Sequence, residues 1–428
     1  MPFFADLHIH SKYSRATSKQ MNLESLYRWA QLKGIRVIGT GDFTYPEYFV
    51  EISEKLEEAE PGLFKLKEKY AKEIDKEVPK SCKAEVRFML SVEISSIYKK
   101  NEKCRKVHNI VFAPGLKEAS KINQELGKIG NIKSDGRPIL GLDSKKLLEI
   151  ITEVSDRCYL VPAHIWTPHF AMLGSKSGFD SIEECFDELS DKIFAVETGL
   201  SSDPPMNWRI SGLDNVTLIS NSDAHSPIKL ARELNVFDCE LSYDGMWDAV
   251  RNGDPKRFLG TIEFFPEEGK YHYDGHRVCE YSCDPKETKK NKGLCKECGK
   301  PVIIGTMHRI EDLADRKKGG DHARALPYRY SIPLYEIIGE AYKVGVGSKK
   351  VLNEYHNLIS QLGNEMYILL EAPIDDIKKV TDLFIAEGIQ RVREGNVYVK
   401  PGYDGEFGEI SIFKDNEKYA NKPQMQLF

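Results

Sequence analysis

Ala5-Asp6-Leu7-His8-Ile9-His10-Ser11 opens the chain, and its reading decides the fold. Apolar Phe3, Phe4 and Ala5 lead into it, which predicts a strand. Residues two apart on a strand share a face, so His8 and His10 present their imidazoles side by side, with Asp6 on the same face. Two imidazoles and a carboxylate offered together suit Zn, Mn or Fe. An edge strand with two solvated histidines has the same sequence signature, so the separation has to come from the residues further along.

Leu23, Leu26, Trp29, Ala30 and Leu32 have helical spacing over residues 22–33, and Gly34 marks the stop. Ile35–Gly39 is then a short apolar strand running into Thr40-Gly41-Asp42. This strand–helix–strand grammar recurs. Strands are predicted over 86–92, ending at Glu93; over 107–113, containing His108; over 158–163, ending at His164; over 193–198; over 215–220, ending at Asn221-Ser222-Asp223-Ala224-His225; and over 258–263. Helices are predicted over 144–154 and 181–189, and the charged stretch 51–83 reads as a mostly helical surface excursion divided at Pro61-Gly62. Short strands alternating with helices imply an α/β fold with a parallel sheet closed as a barrel. In such barrels functional residues sit at strand C-termini. A lone histidine on an apolar strand is more often a core residue than a ligand. Here His8, His10, Asp42, Glu93, His108, His164, Asp223 and His225 all fall at one barrel mouth, which argues for a multinuclear metal site. Glu93 is the candidate bridge; a bridging carboxylate lets two cations sit about 3.5–4 Å apart.

With 428 residues the chain has room for two or three domains. The reading divides it into a catalytic barrel (1–266), a four-Cys zinc-binding domain (267–305) and a helical DNA-binding C-terminal domain (306–428). The net charge of −5 gives no general attraction for nucleic acid, so any such surface has to be local. No apolar run approaches the length of a membrane span and no signal peptide opens the chain, so a cytoplasmic protein is expected. Five of the nine cysteines are scattered. The other four form Cys279-Glu-Tyr-Ser-Cys283 and Cys295-Lys-Glu-Cys298, a spacing that suits one tetrahedral structural zinc. Two disulfides are the alternative, disfavoured in a reducing compartment. Lys289, Lys290 and Lys292 surround this cluster, as a phosphate-backbone contact would require, although charge runs are usually just solvated. In the C-terminal part, helices are predicted over 334–342, 348–362 and 374–388, with a short β tail at 396–400 and 409–413. Between the first two helices, Gly345, Gly347, Ser348 and Lys349 resemble the turn of a helix-hairpin-helix module, whose exposed helix N-terminus binds phosphate; a plain helix connector is the bland alternative.

The series Asp6-His8-His10, Glu93, His108, His164 and Asp223-Ala224-His225 resembles the PHP (polymerase and histidinol phosphatase) superfamily. That resemblance implies a distorted seven-stranded β/α barrel with two or three metals. Carried across, His8, His10, Glu93 and Asp223 would hold one ion, Glu93, His108 and His164 a second, and His225 would serve a third. Two departures stand out: Phe43 follows Asp42 where the family often has His, and residues 11–18 contain no His. The third site is therefore depleted, or uses Asp42 with His225. The chemistry expected is phosphoester hydrolysis by metal-activated water, with Asp223, Glu93 and His225 as the catalytic residues. Zinc suits the histidines, while Mg or Mn is an option for turnover.

The order barrel, four-Cys segment, helical tail with Gly-Val-Gly-Ser-Lys-Lys resembles the endonuclease Q family over essentially the whole length. The resemblance implies a DNA repair endonuclease that nicks 5′ of deaminated bases (hypoxanthine, uracil, xanthine) or abasic sites, with the damaged nucleotide flipped into a pocket. Tyr13, Trp166, His169 and Phe170 are the candidate pocket residues; for Trp166 and Phe170, ordinary loop packing is the alternative. Damaged DNA is the expected partner of a monomer, and the terminal Gln424-Met425-Gln426-Leu427-Phe428 has the look of a sliding-clamp-binding tail. Two rivals are a small-molecule phosphoesterase of the histidinol-phosphate phosphatase type and a non-enzymatic DNA-binding scaffold.

Overall fold

The opening strand spans Phe3–Asp6 and lies inside the central sheet, parallel to Ile35–Gly39 on one side and antiparallel to Leu234–Phe237 on the other. The computed structural model describes residues 2–317 and 324–414; the clamp-like tail at 424–428 lies outside them. Between the first two strands runs the helix Leu23–Lys33, started by Asn22, whose side chain accepts from the Ser25 amide, and stopped by Gly34 at φ 91°. A Cβ at Gly34 would collide with the Asn364 side chain, so glycine serves both the left-handed turn and the close approach of the C-terminal helices.

From Ile35–Gly39 the sheet continues in parallel to Arg87–Lys100, then antiparallel to Lys103–Ala113 and antiparallel again to Tyr159–Pro162. On the other side Leu234–Phe237 pairs antiparallel with Phe258–Glu263, which carries Tyr328–Tyr330 as a parallel edge. Ala195–Glu197 and Thr217–Ile219 form a separate parallel pair. The sheet is thus mixed, which corrects the expectation of a parallel one. The reason is local. Only Asn101 and Glu102, both in the left-handed region (φ 54° and 60°), join the two long strands. A two-residue connection of that hand makes a hairpin, whereas a parallel partner needs a crossover of a dozen or more residues. Glu93, expected at a strand end, lies in mid-strand as a result.

The charged excursion is less helical than expected. The hairpin Leu56–Glu58 and Phe64–Leu66 extends the sheet, with Phe64 beside Phe88 and both phenylalanines buried. Ala5, Val37, Met89, Ile110, Val161, Ala195 and Ile219, one from each of seven strands, meet in a single apolar cluster. Outside it, helices Leu23–Lys33, Leu116–Ile129 and Ser144–Val154 bury Leu26, Ile122, Leu147 and Ile151 in the larger core.

The C-terminal helices form at Leu334–Tyr342 and Lys349–Gln361. The third expected helix is two, Ile374–Val380 and Leu383–Arg393, because Asp382 caps the second by accepting from the Phe384 amide. Lys33 and Glu365 form a fully buried ion pair (2.8 Å) that ties this unit to the first helix. Among the described residues no helix is long and apolar enough to cross a membrane.

Candidate metal centre

One backbone bridge explains the first half of the site. Ile9 pairs with Ala224, and the His10 amide donates to the Ala224 carbonyl (3.1 Å). Both bridging residues point into the core, so their neighbours His8 and His10, Asp223 and His225 emerge together on the other face. His10 Nε2 lies 3.0 Å from Asp223 Oδ1, and His8 Nε2 lies 3.9 Å from it. The long hairpin supplies the second half. Ser95 pairs with His108, so Glu93 and His108 are diagonal neighbours on one face. Glu93 Oε1 is 2.5 Å from His108 Nδ1 and 3.2 Å from His164 Nε2. Its other oxygen, Oε2, is 3.3 Å from His10 Nε2 and 3.8 Å from His8 Nε2. The two carboxylate oxygens therefore face different histidine pairs.

The donor set suits metal ions. The donor atoms gather at separations of 2.5 to 3.9 Å, around the roughly 3–3.5 Å that ligands about 2.0–2.2 Å from one zinc ion would span. His8 Nε2 is buried with no hydrogen-bond partner among the described residues, while its Nδ1 is held 3.0 Å from Glu197. A histidine oriented by a carboxylate on one nitrogen, with the other nitrogen bare, is the arrangement of a metal ligand. Burial pushes the His108 imidazole down to about 4, so its nitrogens are free of an extra proton. Burial opposes ionisation of Glu93, but hydrogen bonds from the His10, His108 and His164 rings outweigh it and hold the carboxyl well below its usual range.

The backbone is strained where the ligands sit. Asp42, His164 and Asp223 all have positive φ (49°, 31° and 47°), which for residues with a Cβ costs of order 1–3 kcal/mol each. Gly199 packs so close to His164 that a Cβ there would lie 2.4 Å from the His164 Cβ, fixing the imidazole from behind.

Of the expected ligands, His8, His10 and Asp223 form one group and Glu93, His108 and His164 another. Asp42 stands behind them. Its Oδ2 accepts from the Ser11 amide and hydroxyl and from Ser14, and its Oδ1 faces His10 Nδ1 at 3.3 Å. Its position is that of a residue that orients His10. His225 lies tilted against His10 (4.4 Å between rings) with Nδ1 2.9 Å from the Asp223 carbonyl. Asp6, placed on the ligand face by its spacing, instead accepts from the Ser222 and Ala231 amides.

Two site residues escaped the sequence reading. Glu197 binds His8, the His164 amide (2.9 Å) and Asn221 (2.9 Å). Its only signal was an acid at the end of a short strand. Arg137, from an irregular loop, donates from Nη1 to Glu93 Oε2 (3.1 Å) and is the one guanidinium bonded to Glu93 among the described residues.

The pocket candidates separate. Trp166 is a core residue, buried to 1% with Nε1 donating to Asn207. Phe170 packs on the His108 ring (4.8 Å). Tyr13 stacks on Tyr45 and donates to Glu51. His169 alone lines a cavity, of about 460 Å³, between the loop after His164 and residues 266–306.

The cysteine cluster gathers a different fourth donor from the one expected. His276, Cys279, Cys295 and Cys298 converge, with His276 Nδ1 3.4 Å from Cys298 Sγ. Cys283 is buried against the helix Pro285–Lys290, its Sγ 3.1 Å from the Thr288 hydroxyl. The strand Asp274–His276 pairs with Tyr281–Cys283 and carries His276 to the cluster. Lys289, Lys290 and Lys292 are exposed, with Lys289 paired to Asp312. Gly345, Gly347 and Lys349 are exposed at the start of the helix Lys349–Gln361, and Ser348 caps that helix through the Val351 amide.

The chain is similar to several known proteins. A family model described as the MJ0043 C-terminal domain matches residues 333–396. The protein MJ0043 of Methanocaldococcus jannaschii is 32% identical over 242 residues, 55% of this chain but 30% of its own length. YqxK of Bacillus subtilis is 28% identical over 426 residues, 95% of this chain and 98% of its own. The lesion-specific endonuclease PfuEndoQ of Pyrococcus furiosus superposes with a TM-score of 0.83 at 28% identity, covering 98% of this chain and 97% of its own. An endonuclease Q bound to a 27-mer duplex with an abasic lesion at its active site gives 0.82 at 27% identity, covering 99% and 100%.

Proposed function

We infer that this chain is a metal-dependent DNA endonuclease of the endonuclease Q type. One observation carries the reading. The likeness to two lesion-specific nuclease structures runs through the metal centre, the cysteine segment and the helical tail together, not through the metal centre alone. The substrate is damaged duplex DNA, cut on the 5′ side of a deaminated base or an abasic site. The seven strands that share one apolar cluster support a PHP-type barrel. The layout is a barrel over 1–266, a zinc-binding segment over 267–305 and a DNA-binding helical unit after it. Zinc in that segment would be held by His276, Cys279, Cys295 and Cys298.

In the barrel, His8, His10 and Asp223 would hold one ion and His108 and His164 another, with Glu93 shared between them. When bound, such ions supply Lewis acidity toward a phosphoryl oxygen and a water of lowered pKa. The protein's own groups do the rest. Asp42 and Glu197 fix the ring orientations of His10 and His8. Arg137 presents a guanidinium at the edge of the centre, where it stabilises charge developing on the phosphoryl oxygens. His225, held at Nδ1 by the Asp223 carbonyl, has Nε2 left to exchange a proton with the leaving oxygen. The exposed Gly345–Lys349 turn and the lysines at 289–292 bind flanking phosphates.

The test compares two substrates at equal protein concentration: an end-labelled duplex with a single uracil, and a small phosphomonoester. Discrete nicking 5′ of the uracil, abolished by Asp223→Ala and absent on undamaged duplex, supports the nuclease. Turnover of the monoester with intact duplex would put a small-molecule phosphoesterase in its place.

A further inference from the structure

The ligand histidines are not held alike. His8 Nδ1 stands 3.0 Å from Glu197 and His10 Nδ1 3.3 Å from Asp42, so each has a carboxylate behind it. Behind His164 is a hydroxyl: Thr167 Oγ1 lies 3.1 Å from His164 Nδ1. That hydroxyl has one hydrogen, and it is used elsewhere. Thr167 donates to the His169 carbonyl (2.9 Å), the nearer of two carbonyls in reach; that of His164 is 3.4 Å away. Its oxygen is left to accept from the His164 Nδ1–H. This fixes the tautomer, with His164 Nε2 bare and facing Glu93 Oε1 at 3.2 Å. Among the described residues, Glu93 is the one carboxylate paired with the rings of His164 and His108. The other group has Asp223 besides its share of Glu93. Arg137 works the opposite way, because it bonds the Glu93 oxygen on the His10 side, but one guanidinium does not offset Asp223, Glu197 and Asp42 together.

We propose that Thr167 is a positioning residue for the ion that Glu93, His108 and His164 hold, and that a neutral hydroxyl in this place makes that ion the more weakly held of the two. The proposal rests on the two-ion reading above and is independent of the substrate. A carboxylate behind an imidazole raises the basicity of the nitrogen that meets the metal, whereas a hydroxyl orients the ring without adding charge. The same cation is also attracted less where fewer anionic groups surround it. The centre then keeps one resident ion and takes the other from solution, so its working state depends on the free metal around it.

The test is a titration of the full-length protein, stripped of barrel metal, with Mn²⁺, the free ion being followed by electron paramagnetic resonance. Thiolate-rich sites disfavour Mn²⁺, so the cysteine segment stays silent. Wild type should show two classes of site at least about tenfold apart in Kd, and His164→Ala should abolish the weaker. Thr167→Val keeps the shape and removes the hydroxyl. It should loosen the weaker class by about ten- to a hundredfold and leave the tighter one in place. Thr167→Ser restores the hydroxyl and should bind as wild type does. A valine variant that binds like wild type, a serine variant as weak as the valine one, or loss of the tighter class in His164→Ala would overturn the proposal. If the valine variant melts early, Thr167→Asp decides. A carboxylate in the hydroxyl's place should tighten the weaker class, and any other result would refute the ranking. Failure of the two-ion reading is distinguishable, because wild type would then take up a single barrel ion, while the valine and serine variants would still read Thr167 on the ion that His164 holds.

Discussion

Arg137 and Glu93 touch through single atoms, Nη1 and Oε2, and among the described residues no other hydrogen bond to the guanidinium competes with a phosphate. Arg137→Ala should therefore lower the single-turnover nicking rate about 10²–10³-fold with metal content unchanged; loss of metal along with rate would make Arg137 a structural prop instead. Just before the strand Leu234–Phe237, Glu233 is fully buried, with Glu263 and Glu197 as its nearest acidic neighbours. Burial, then the charges of Glu263 and Glu197, push it well above the usual range, and burial chiefly takes Glu263 up to about 8. Both folded values lie above the unfolded ones, so the folded protein keeps protons that the unfolded chain releases. The stability that these two groups contribute is fully present below their unfolded values and is lost as pH rises through the folded ones, about 8 for Glu263. Thermal melting should show this decline, and Glu233→Gln should flatten it; parallel melting curves for the two proteins would disprove the assignment. The residues legible from sequence were imidazoles and carboxylates on or at the ends of apolar strands: His8, His10, Glu93, His108, His164 and Asp223. Glu197 gave only an acid at the end of a short strand, and Arg137 lies in an irregular loop. His276 was hidden because Cys279, Cys283, Cys295 and Cys298 already supplied four thiols, and only the register of a three-residue strand swaps one of them for the imidazole.

Elements with strong local signals formed where their sequences put them. Asn22 and Gly34 bound the first helix, and Ser348 opens the helix Lys349–Gln361. Elements set by partners did not announce themselves. Leu234–Phe237 is four residues long and is a strand because two neighbours pair with it. The strand Arg87–Lys100 outruns its apolar stretch because Lys103–Ala113 folds back on it through a two-residue turn. The Gly345–Lys349 turn is open to solvent, and a Cβ at either glycine would meet nothing within 4 Å. If the turn grips a phosphate, Lys349→Glu should weaken DNA binding on damaged and undamaged duplex alike. The slope of log K against log salt should become shallower by about one. Binding unchanged across a salt titration would reduce the turn to a connector.

At the scale of the molecule, the helical unit is anchored through Lys33 and Glu365, both buried, with Glu365 also accepting from the Leu334 amide. Removing one partner strands a charge, so Lys33→Met should destabilise the protein by about 3–5 kcal/mol, whereas Lys33→Met with Glu365→Leu should recover most of it. Chemical denaturation of the two variants measures the difference; equal stability would show that the pair does not tie the parts together. The metal centre is just as distributed. Its candidate ligands come from chain segments between residues 8 and 223, and they meet at Glu93. The most direct measurement is the single-turnover nicking rate on a single-uracil duplex, taken with the bound-metal content, for wild type and Glu93→Gln. The account expects the variant to lose barrel metal, to keep the zinc of the cysteine segment, and to nick at least about 10³-fold more slowly. A variant with full metal content that nicks within tenfold of wild type would contradict it.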